Sequence, residues 1–518
     1  MPVIGKPLML ALWLSVAVLL TGCSGLPSLE GRSQTQHLTL EQARDTALGE
    51  MLAPYVDAHP GKSGIHTLRN PHDAFAARLL LAEAAERTLD VQYYIWHDDI
   101  TGSMLYQAML DAANRGVRVR MLLDDTNTAG LDDKLAALDA HPNIEIRLFN
   151  PFVVRSPRFI GYLTDFSRAN RRMHNKSLTV DNQATIIGGR NIGDEYFGAG
   201  DNVMFADLDV VAVGPVVEQV SEDFDLYWAS QSSYPASRVL DSAGRQGLAR
   251  FEQASAEIVR TPDSLEYRQA LDESQFIESI EDGSLELVWA NTRMVSDDPA
   301  KGLGLAADED LLTGRIRGLL GPPRDSVHLV SPYFVPVEKG TRMFADLEAR
   351  GVEVTILTNA LEATDVAAVH AGYAKRRREL LEAGVRLFEL KRAPDAPGRS
   401  ESAGPFGSSG ASLHAKTFAV DGDRLFVGSF NFDPRSARLN TELGFIIESP
   451  ELAQEMQRVF NTDVLDNAYE VKLDEDGSMI WLERTPQGVV QYDGEPNVGI
   501  FRRAAVTLIS VLPVEWML

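Results

Sequence analysis

Cysteine is nearly absent from this chain of 518 residues, which has a single one, Cys23. A lone thiol near the N-terminus excludes an internal disulfide and leaves no cysteine chemistry for the body of the protein. Long hydrophobic runs are missing too, since no internal stretch reaches the roughly 18–20 apolar residues that span a bilayer. Positive charge is scarce, with 49 Lys and Arg against 74 Asp and Glu and a formal charge of −25. Such a surface repels a phosphate backbone and argues against a general nucleic-acid binder. Charge acts locally at a site, so a basic cluster can still hold one phosphate. What is present is typical of a folded protein: 44% apolar and 24% charged residues, in a chain long enough for two domains.

The N-terminus reads as an export signal. Lys6 supplies a positive start, and residues 8–20 form an apolar stretch too short for a membrane helix. Leu20-Thr21-Gly22-Cys23 follows and resembles a bacterial lipobox, which implies lipidation at Cys23. The expectation is a signal peptide at 1–22 and a tether at 23–58, which lets an exported, lipid-anchored body reach a membrane surface from the periplasmic side.

An internal repeat organises the rest. In the first half a buried strand at 90–96 is followed by a helical stretch ending at Arg115-Gly116 and a strand at 117–123. In the second half the corresponding pieces are 326–330, a helix ending at Arg350-Gly351, and 352–357. Residues 144–149 echo 385–388. Strands alternating with helical stretches predict an α/β fold, twice over, with mixed but largely parallel sheets in two α/β/α sandwich halves. The halves are placed at 59–229 and 284–465. Between them lies a polar, helical connector at 230–283, and after them a C-terminal extension at 466–518. The Pro-, Gly- and Ser-rich segment 393–412 is a loop leading into the second half's motif. It is either a gate or a surface insertion. The tail from Phe501, with Arg502, Arg503 and Trp516, either packs on the core or lies on lipid.

The chemistry sits in a five-residue pattern. His174, Lys176, Asp181, Gly188 and Asn191 stand at relative positions 0, 2, 7, 14 and 17, and His414, Lys416, Asp421, Gly428 and Asn431 repeat those offsets. One such match has a chance probability of roughly 10⁻⁷ per starting point, so two at equivalent places in a repeat are not accidental. Residues two apart on a strand share a face, so each His and its Lys project together. Two halves meeting at a pseudo-twofold axis then bring two imidazoles and two ammonium groups to one pocket. That set supplies a nucleophile, a proton donor and positive charge for a phosphodiester. No metal-ligand set is apparent, and no cofactor is expected.

These residues resemble the two HKD motifs of the phospholipase D superfamily, over about residues 69–466. The resemblance implies that one histidine, here taken as His174, attacks phosphorus, while the other protonates the leaving group and then activates the incoming alcohol or water. It implies an acidic partner for each histidine, matched to Glu442 in the second half. In the first half it falls within Asp207-Leu208-Asp209, where Asp209 is favoured. Lys176, Lys416, Asn191 and Asn431 are implied to bind the phosphate. Asp181, Asp421, Gly188, Gly428 and Ser429 are implied to be structural. Within the superfamily, residues 90–99, 115–125 and 170–198 are similar to bacterial cardiolipin synthases of type C. That similarity implies phosphatidylglycerol and phosphatidylethanolamine as lipid partners, with no obligate protein partner. A phospholipase D-type hydrolase shares every one of these residues. A nuclease and a non-catalytic lipid-binding lipoprotein are the remaining alternatives.

Two basic segments lie outside the motifs. Arg155, Arg158, Arg168, Arg171 and Arg172 surround Phe159, Tyr162, Leu163 and Phe166. They form either a lipid-interface segment with guanidinium groups on head-group phosphates or an amphipathic surface helix. Lys375 to Arg378 is read as a solvated helix face paired with Glu379 and Glu382.

Overall fold

The computed structural model describes residues 25–199, 205–364, 366–392, 412–510 and 515. Cys23 and nearly all of the expected loop at 393–412 lie outside the described residues. The first half contains β1 (Ser63–Leu68), β2 (Thr88–Tyr93), β3 (Arg118–Asp124), β4 (Ile144–Phe149), β5 (Ser177–Val180), β6 (Ala184–Gly188), β7 (Phe205–Ala206), β8 (Asp209–Val213) and β9 (Ser233–Pro235). The second contains β10 (Val288–Ser296), β11 (Ser326–Val330), β12 (Glu353–Asn359), β13 (Arg386–Leu390), β14 (Ser412–Leu413), β15 (Lys416–Val420), β16 (Arg424–Gly428) and β17 (Leu443–Glu448). The chain then adds β18 (Ala468–Leu473), β19 (Met479–Thr485) and β20 (Gly488–Tyr492).

The strands run in one continuous spatial order: β9-β4-β3-β2-β5-β6-β8-β1, then β10-β17-β16-β15-β11-β12-β13-β18-β19-β20. The order reads the same outward in both directions from the β1–β10 pair, with β2 matching β11, β5 matching β15 and β8 matching β17. The repeat is therefore real in three dimensions. The expectation of largely parallel sheets is corrected. Among the described residues, parallel pairing between strands is confined to β2-β3-β4, β11-β12-β13 and the short β7–β14 ribbon, and the other strand pairings are antiparallel. The motif strands cause this, because β5-β6 and β15-β16 are hairpins inserted beside the βαβ units, and a tight hairpin is antiparallel by construction. Gly116 and Gly351, at φ 100° and 84°, take the left-handed position that ends each helix before β3 and β12.

Ile65, Ile187, Val210 and Ala212 of the first half form one buried cluster with Leu413, Val427, Phe445 and Leu452 of the second. Burying a large aliphatic side chain contributes about 1.5–3 kcal/mol, so this shared core fixes the two halves relative to each other. The expected connector at 230–283 is corrected at its start, where β9 pairs with β4 and belongs to the first half; from Ala236 it is helical and packs on that half through Phe251, Tyr267 and Phe276. The C-terminal extension continues the second sheet through β18, which pairs with β13. Its helix Ile500–Ser510 packs on the core, with Val506 buried against Leu361 and Ala371.

The tether at 23–58 is also corrected. Arg32 donates to the carbonyls of Ser230 and Ser233 at 2.7 and 2.9 Å, and helices follow at Leu40–Arg44 and Ala47–Ala58. The guanidinium groups of Arg120 and Arg147, buried in the first half, find acceptors in the carbonyls of Thr35 and Ser33, both at 2.8 Å. A buried donor needs a partner, and this polar strap supplies it.

Candidate active site

Each motif hairpin is anchored by its aspartate. The Asp181 carboxylate accepts the backbone N–H groups of Glu86, Arg87 and Thr88 at 2.9, 2.8 and 2.7 Å. Asp421 does the same for Arg324, Asp325 and Ser326 at 2.9, 2.8 and 3.2 Å. Both aspartates sit at positive φ, 50° and 55°, a conformation that Asp tolerates better than most residues. They lock the hairpin to the start of β2 or β11 and so set where His and Lys project. Gly188 and Gly428 permit close approach, since a Cβ would stand 2.1 Å from Asp209 Oδ1 or 2.3 Å from the Leu443 carbonyl oxygen.

The two halves are sewn together at the site. The backbone N–H of His174 donates to the Thr441 carbonyl, and Thr441 N–H donates to the Arg172 carbonyl, both at 2.9 Å. On the other side the N–H of His414 donates to the Ala206 carbonyl at 2.8 Å, where β7 pairs with β14. Each histidine thereby meets the acid of the opposite half. His174 Nδ1 donates to Glu442 Oε2 at 2.8 Å, and His414 Nδ1 donates to Asp207 Oδ2 at 2.6 Å. Ser429 Oγ adds a bond of 2.5 Å to the same Glu442 oxygen.

The favoured Asp209 is corrected to Asp207. In the second half Gly428 pairs with Gly444, and in the first Gly188 pairs with Asp209, so the counterpart of Glu442, two residues earlier, is Asp207. Asp209 is instead enclosed by guanidinium groups, with Arg78 Nη2 at 2.8 Å and Arg190 Nη1 at 3.3 Å.

The lysines come to the same place. Lys176 Nζ donates to the carbonyl of His174, and Lys416 Nζ to that of His414. The phosphate-binding expectation for the asparagines meets a mixed outcome. Asn191 is spent on the protein, accepting from Ile95 N–H and donating to the Tyr196 hydroxyl at 3.0 Å. Asn431 is buried with its Oδ1 lacking a hydrogen bond. Aromatic rings complete the walls, of which only Tyr94 fell within an element expected from the sequence, the strand at 90–96. Tyr94 meets His174 edge-on at 4.9 Å, and Tyr196 and Phe205 each stand 5.2 Å from His414. Their signal in the sequence was position alone, Tyr94 at the end of β2 and Tyr196 and Phe205 beyond the first motif.

Burial pushes the His174 imidazole down to about 4 and that of His414 to about 3, against the pull of their carboxylates. Burial also holds Lys176 well below its usual value. Burial alone would raise Asp207 and Glu442, but the facing imidazoles and lysines outweigh it and keep both ionised. With Nδ1–H committed to a carboxylate, Nε2 keeps its lone pair for the pocket.

The sign of these shifts gives an expected result. Folded histidines with pKa below 6.5 bind fewer protons than the unfolded chain, so their contribution to stability is full above pH 6.5 and is lost as pH falls toward 4. Asp223 and Asp297, raised by burial to about 7 and about 6, act in the opposite direction, so a global melt blurs the effect. Imidazole nitrogen shifts resolve it. At pH 5.5 both site histidines are expected to remain neutral while exposed His97, raised by its bond to the Glu195 carboxylate, is charged, and a spectrum showing either site histidine as imidazolium rejects this electrostatic picture.

Among the described residues, His97, Asp99 and Glu195 bring ligand atoms within 4.8 Å of one another. Asp99 is occupied in capping Gly102 N–H at 2.9 Å and in accepting from Asp194 N–H at 2.8 Å, which makes this a structural cluster. The basic run is only partly a solvated face. Arg376 and Arg378 pair with Glu379 and Glu382 as expected, but Arg377 is buried between Glu389 and Glu495 at 3.1 and 2.8 Å.

The family described as cardiolipin synthase, PLD-like domain, matches residues 80–228 and 316–464. Cardiolipin synthase C of Escherichia coli (strain K12) is 50% identical over 471 residues, 91% of this chain and 99% of that protein. Cardiolipin synthase A of Pseudomonas entomophila (strain L48) is 27% identical over 411 residues, 77% of this chain and 67% of that one. Among solved structures, phosphatidylserine synthase of Haemophilus influenzae Rd KW20 has a TM-score of 0.55 at 13% identity, covering 90% of this chain and 99% of that one, a likeness of fold. With a motif-bearing repeat in each matched segment and a full-length relative at half identity, the chain belongs to the cardiolipin synthase family of phospholipase D-like enzymes.

Proposed function

We propose that the enzyme moves a phosphatidyl group from phosphatidylethanolamine onto a glycerol hydroxyl of phosphatidylglycerol, giving cardiolipin and ethanolamine. The observation that carries this reading is the pair of cross-half His–carboxylate contacts, with two lysines at the same pocket. His174 Nε2 attacks phosphorus, a P–N bond forms, and the P–O bond to ethanolamine breaks. His414 supplies the proton to the departing oxygen, then takes the proton of the acceptor hydroxyl as that oxygen attacks phosphorus and the P–N bond breaks. The lysines face the non-bridging oxygens and stabilise the charge that grows there.

Charge balance explains how a histidine with so low a pKa becomes an acid. Two lysines and two carboxylates cancel, so these side chains alone have no call for an imidazolium. A phosphodiester brings one negative charge, and one proton on His414 restores neutrality.

The decisive assay uses mixed micelles of phosphatidylglycerol with and without phosphatidylethanolamine, with product lipids resolved by mass. Cardiolipin is expected only when both lipids are present. Phosphatidic acid alone would mean that water wins at the phosphohistidine, making the enzyme a phospholipase.

Export and anchoring at Cys23 on the periplasmic side of a membrane are part of the same proposal. They are supported by the lipobox-like Leu20-Thr21-Gly22-Cys23. Among the described residues no helix is long and apolar enough to cross a membrane.

A further inference from the structure

The segment just ahead of the first motif is an amphipathic surface turned inside out. In the helix Phe159–Thr164 and the helix Phe166–Ala169, three large apolar side chains face solvent, with Phe159 62% exposed, Leu163 78% and Phe166 45%, while Ile160 and Tyr162 are half-buried beneath them. The flanking cations are drawn inward, with the side chains of Arg155, Arg158 and Arg168 only 16%, 13% and 15% exposed. Arg155 grips Asp125 and Asp132, with guanidinium contacts of 2.9 and 2.6 Å. Arg158 reaches the Asp125 carbonyl and the Thr128 hydroxyl, and Arg168 reaches Asp165 at 2.6 Å and the Pro151 carbonyl at 2.9 Å. Arg171 and Arg172 are held by carbonyls of Lys301, Arg438 and Asn150. None of these five groups is therefore free for head-group phosphates. They act as rivets, and what they present outward is an apolar ridge with residues at i, i+4 and i+7.

A soluble surface gains by the opposite arrangement, with charge in water and apolar groups inside. A contiguous exposed apolar ridge on a segment pinned from beneath marks a contact surface, and acyl chains are a medium that such a ridge gains by entering. The ridge is also continuous with the catalytic mouth. Its second helix is capped by Asn170, which Arg435 of the other half clamps at 3.1 Å through its carbonyl and at 2.8 Å through its side chain. Met173 N–H is fixed by Asp124 at 2.7 Å, and His174 follows directly.

We propose that this ridge is where the enzyme seats in a phospholipid bilayer, inserting Phe159, Leu163 and Phe166 among acyl chains so that lipid head groups stand at the mouth beside His174. The proposal rests on the phosphatidyl-transfer reading for its purpose, but its physical basis is the inverted surface.

The test uses the full chain carrying Cys23→Ser and Leu163→Cys, labelled with an environment-sensitive fluorophore and mixed with phosphatidylglycerol–phosphatidylethanolamine vesicles. A parallel chain carries the label at Leu265→Cys, an exposed leucine on the helical connector. Emission from position 163 is expected to shift blue and to be quenched by lipids bearing doxyl groups on their acyl chains, while position 265 stays aqueous. In the unlabelled enzyme, Phe159→Ser, Leu163→Ser and Phe166→Ser together are expected to lower turnover of vesicle lipid at least tenfold. Turnover of a short-chain monomeric phosphodiester should be unchanged, which also shows that the variant is folded. A label at 163 as aqueous as that at 265 in vesicle-bound protein overturns the proposal, as does a triple variant working on vesicles at the wild-type rate. The fluorescence needs no turnover, so failure of the transfer reading is separable: the label would bury while no cardiolipin forms.

Discussion

Replacing His174 or His414 by alanine is expected to lower phosphatidyl transfer by at least about 10³-fold in each case, with the fold retained. Residues acting as one catalytic unit show losses of this order when either is removed. Each histidine is held by one carboxylate at its ring and one bond at its backbone N–H, His414 Nδ1 also standing 2.8 Å from Lys416 Nζ, and neither belongs to the hydrophobic clusters that carry the fold. Circular dichroism and thermal melting check the fold, and lipid products report the activity. One variant with near-normal turnover would remove the two-histidine mechanism.

An activated substrate separates the two roles. A p-nitrophenyl phosphodiester has a leaving group that needs no proton, so His414→Ala should still release one burst of nitrophenol while His174→Ala releases none. The reverse pattern would exchange nucleophile and acid.

The sequence reached the site by spacing and missed what spacing cannot carry. The five-residue offsets located both hairpins, because a motif confined to one hairpin keeps its register. The acid lies just ahead of the next strand, across a connection of variable length: Gly428 to Glu442 is 14 positions, whereas Gly188 to Asp207 is 19. Counting therefore failed by two residues, while β-sheet register identifies Asp207 at once. That each acid serves the histidine of the opposite half is a property of how the halves dock. The strap at residues 32–38 looked like a tether because it is polar. Its partners, Arg120 and Arg147, lie more than a hundred positions away in places, and buried arginines leave no local pattern. The inward-turned arginines before the first motif were invisible for the same reason. Composition shows which residues alternate, and tertiary structure decides which face meets the core.

Asp207 and Asp209 provide the sharpest test of this site, because identical chemistry two residues apart should give opposite phenotypes. Asp207→Asn keeps the size of the side chain but loses the charge that orients His414 and supports its imidazolium. The expected result is a folded enzyme whose transfer rate falls by about 10²–10⁴-fold, as for an acid behind a catalytic histidine. Asp209→Asn leaves Arg78 and Arg190 buried without their counter-charge, while His414 and its acid are untouched. Breaking a buried pair by removing one partner costs about 3–5 kcal/mol, so the loss should appear in the unfolding midpoint. Residual folded protein should retain near-normal turnover per active site, measured by titration with the activated phosphodiester. If Asp209→Asn were instead stable and inactive while Asp207→Asn stayed active, the register argument would fail and Asp209 would be restored as the partner. Glu442→Gln completes the symmetry. It should mimic Asp207→Asn in rate, but with the defect in phosphohistidine formation at His174, because the carboxylate that orients the nucleophile comes from the other half of the molecule.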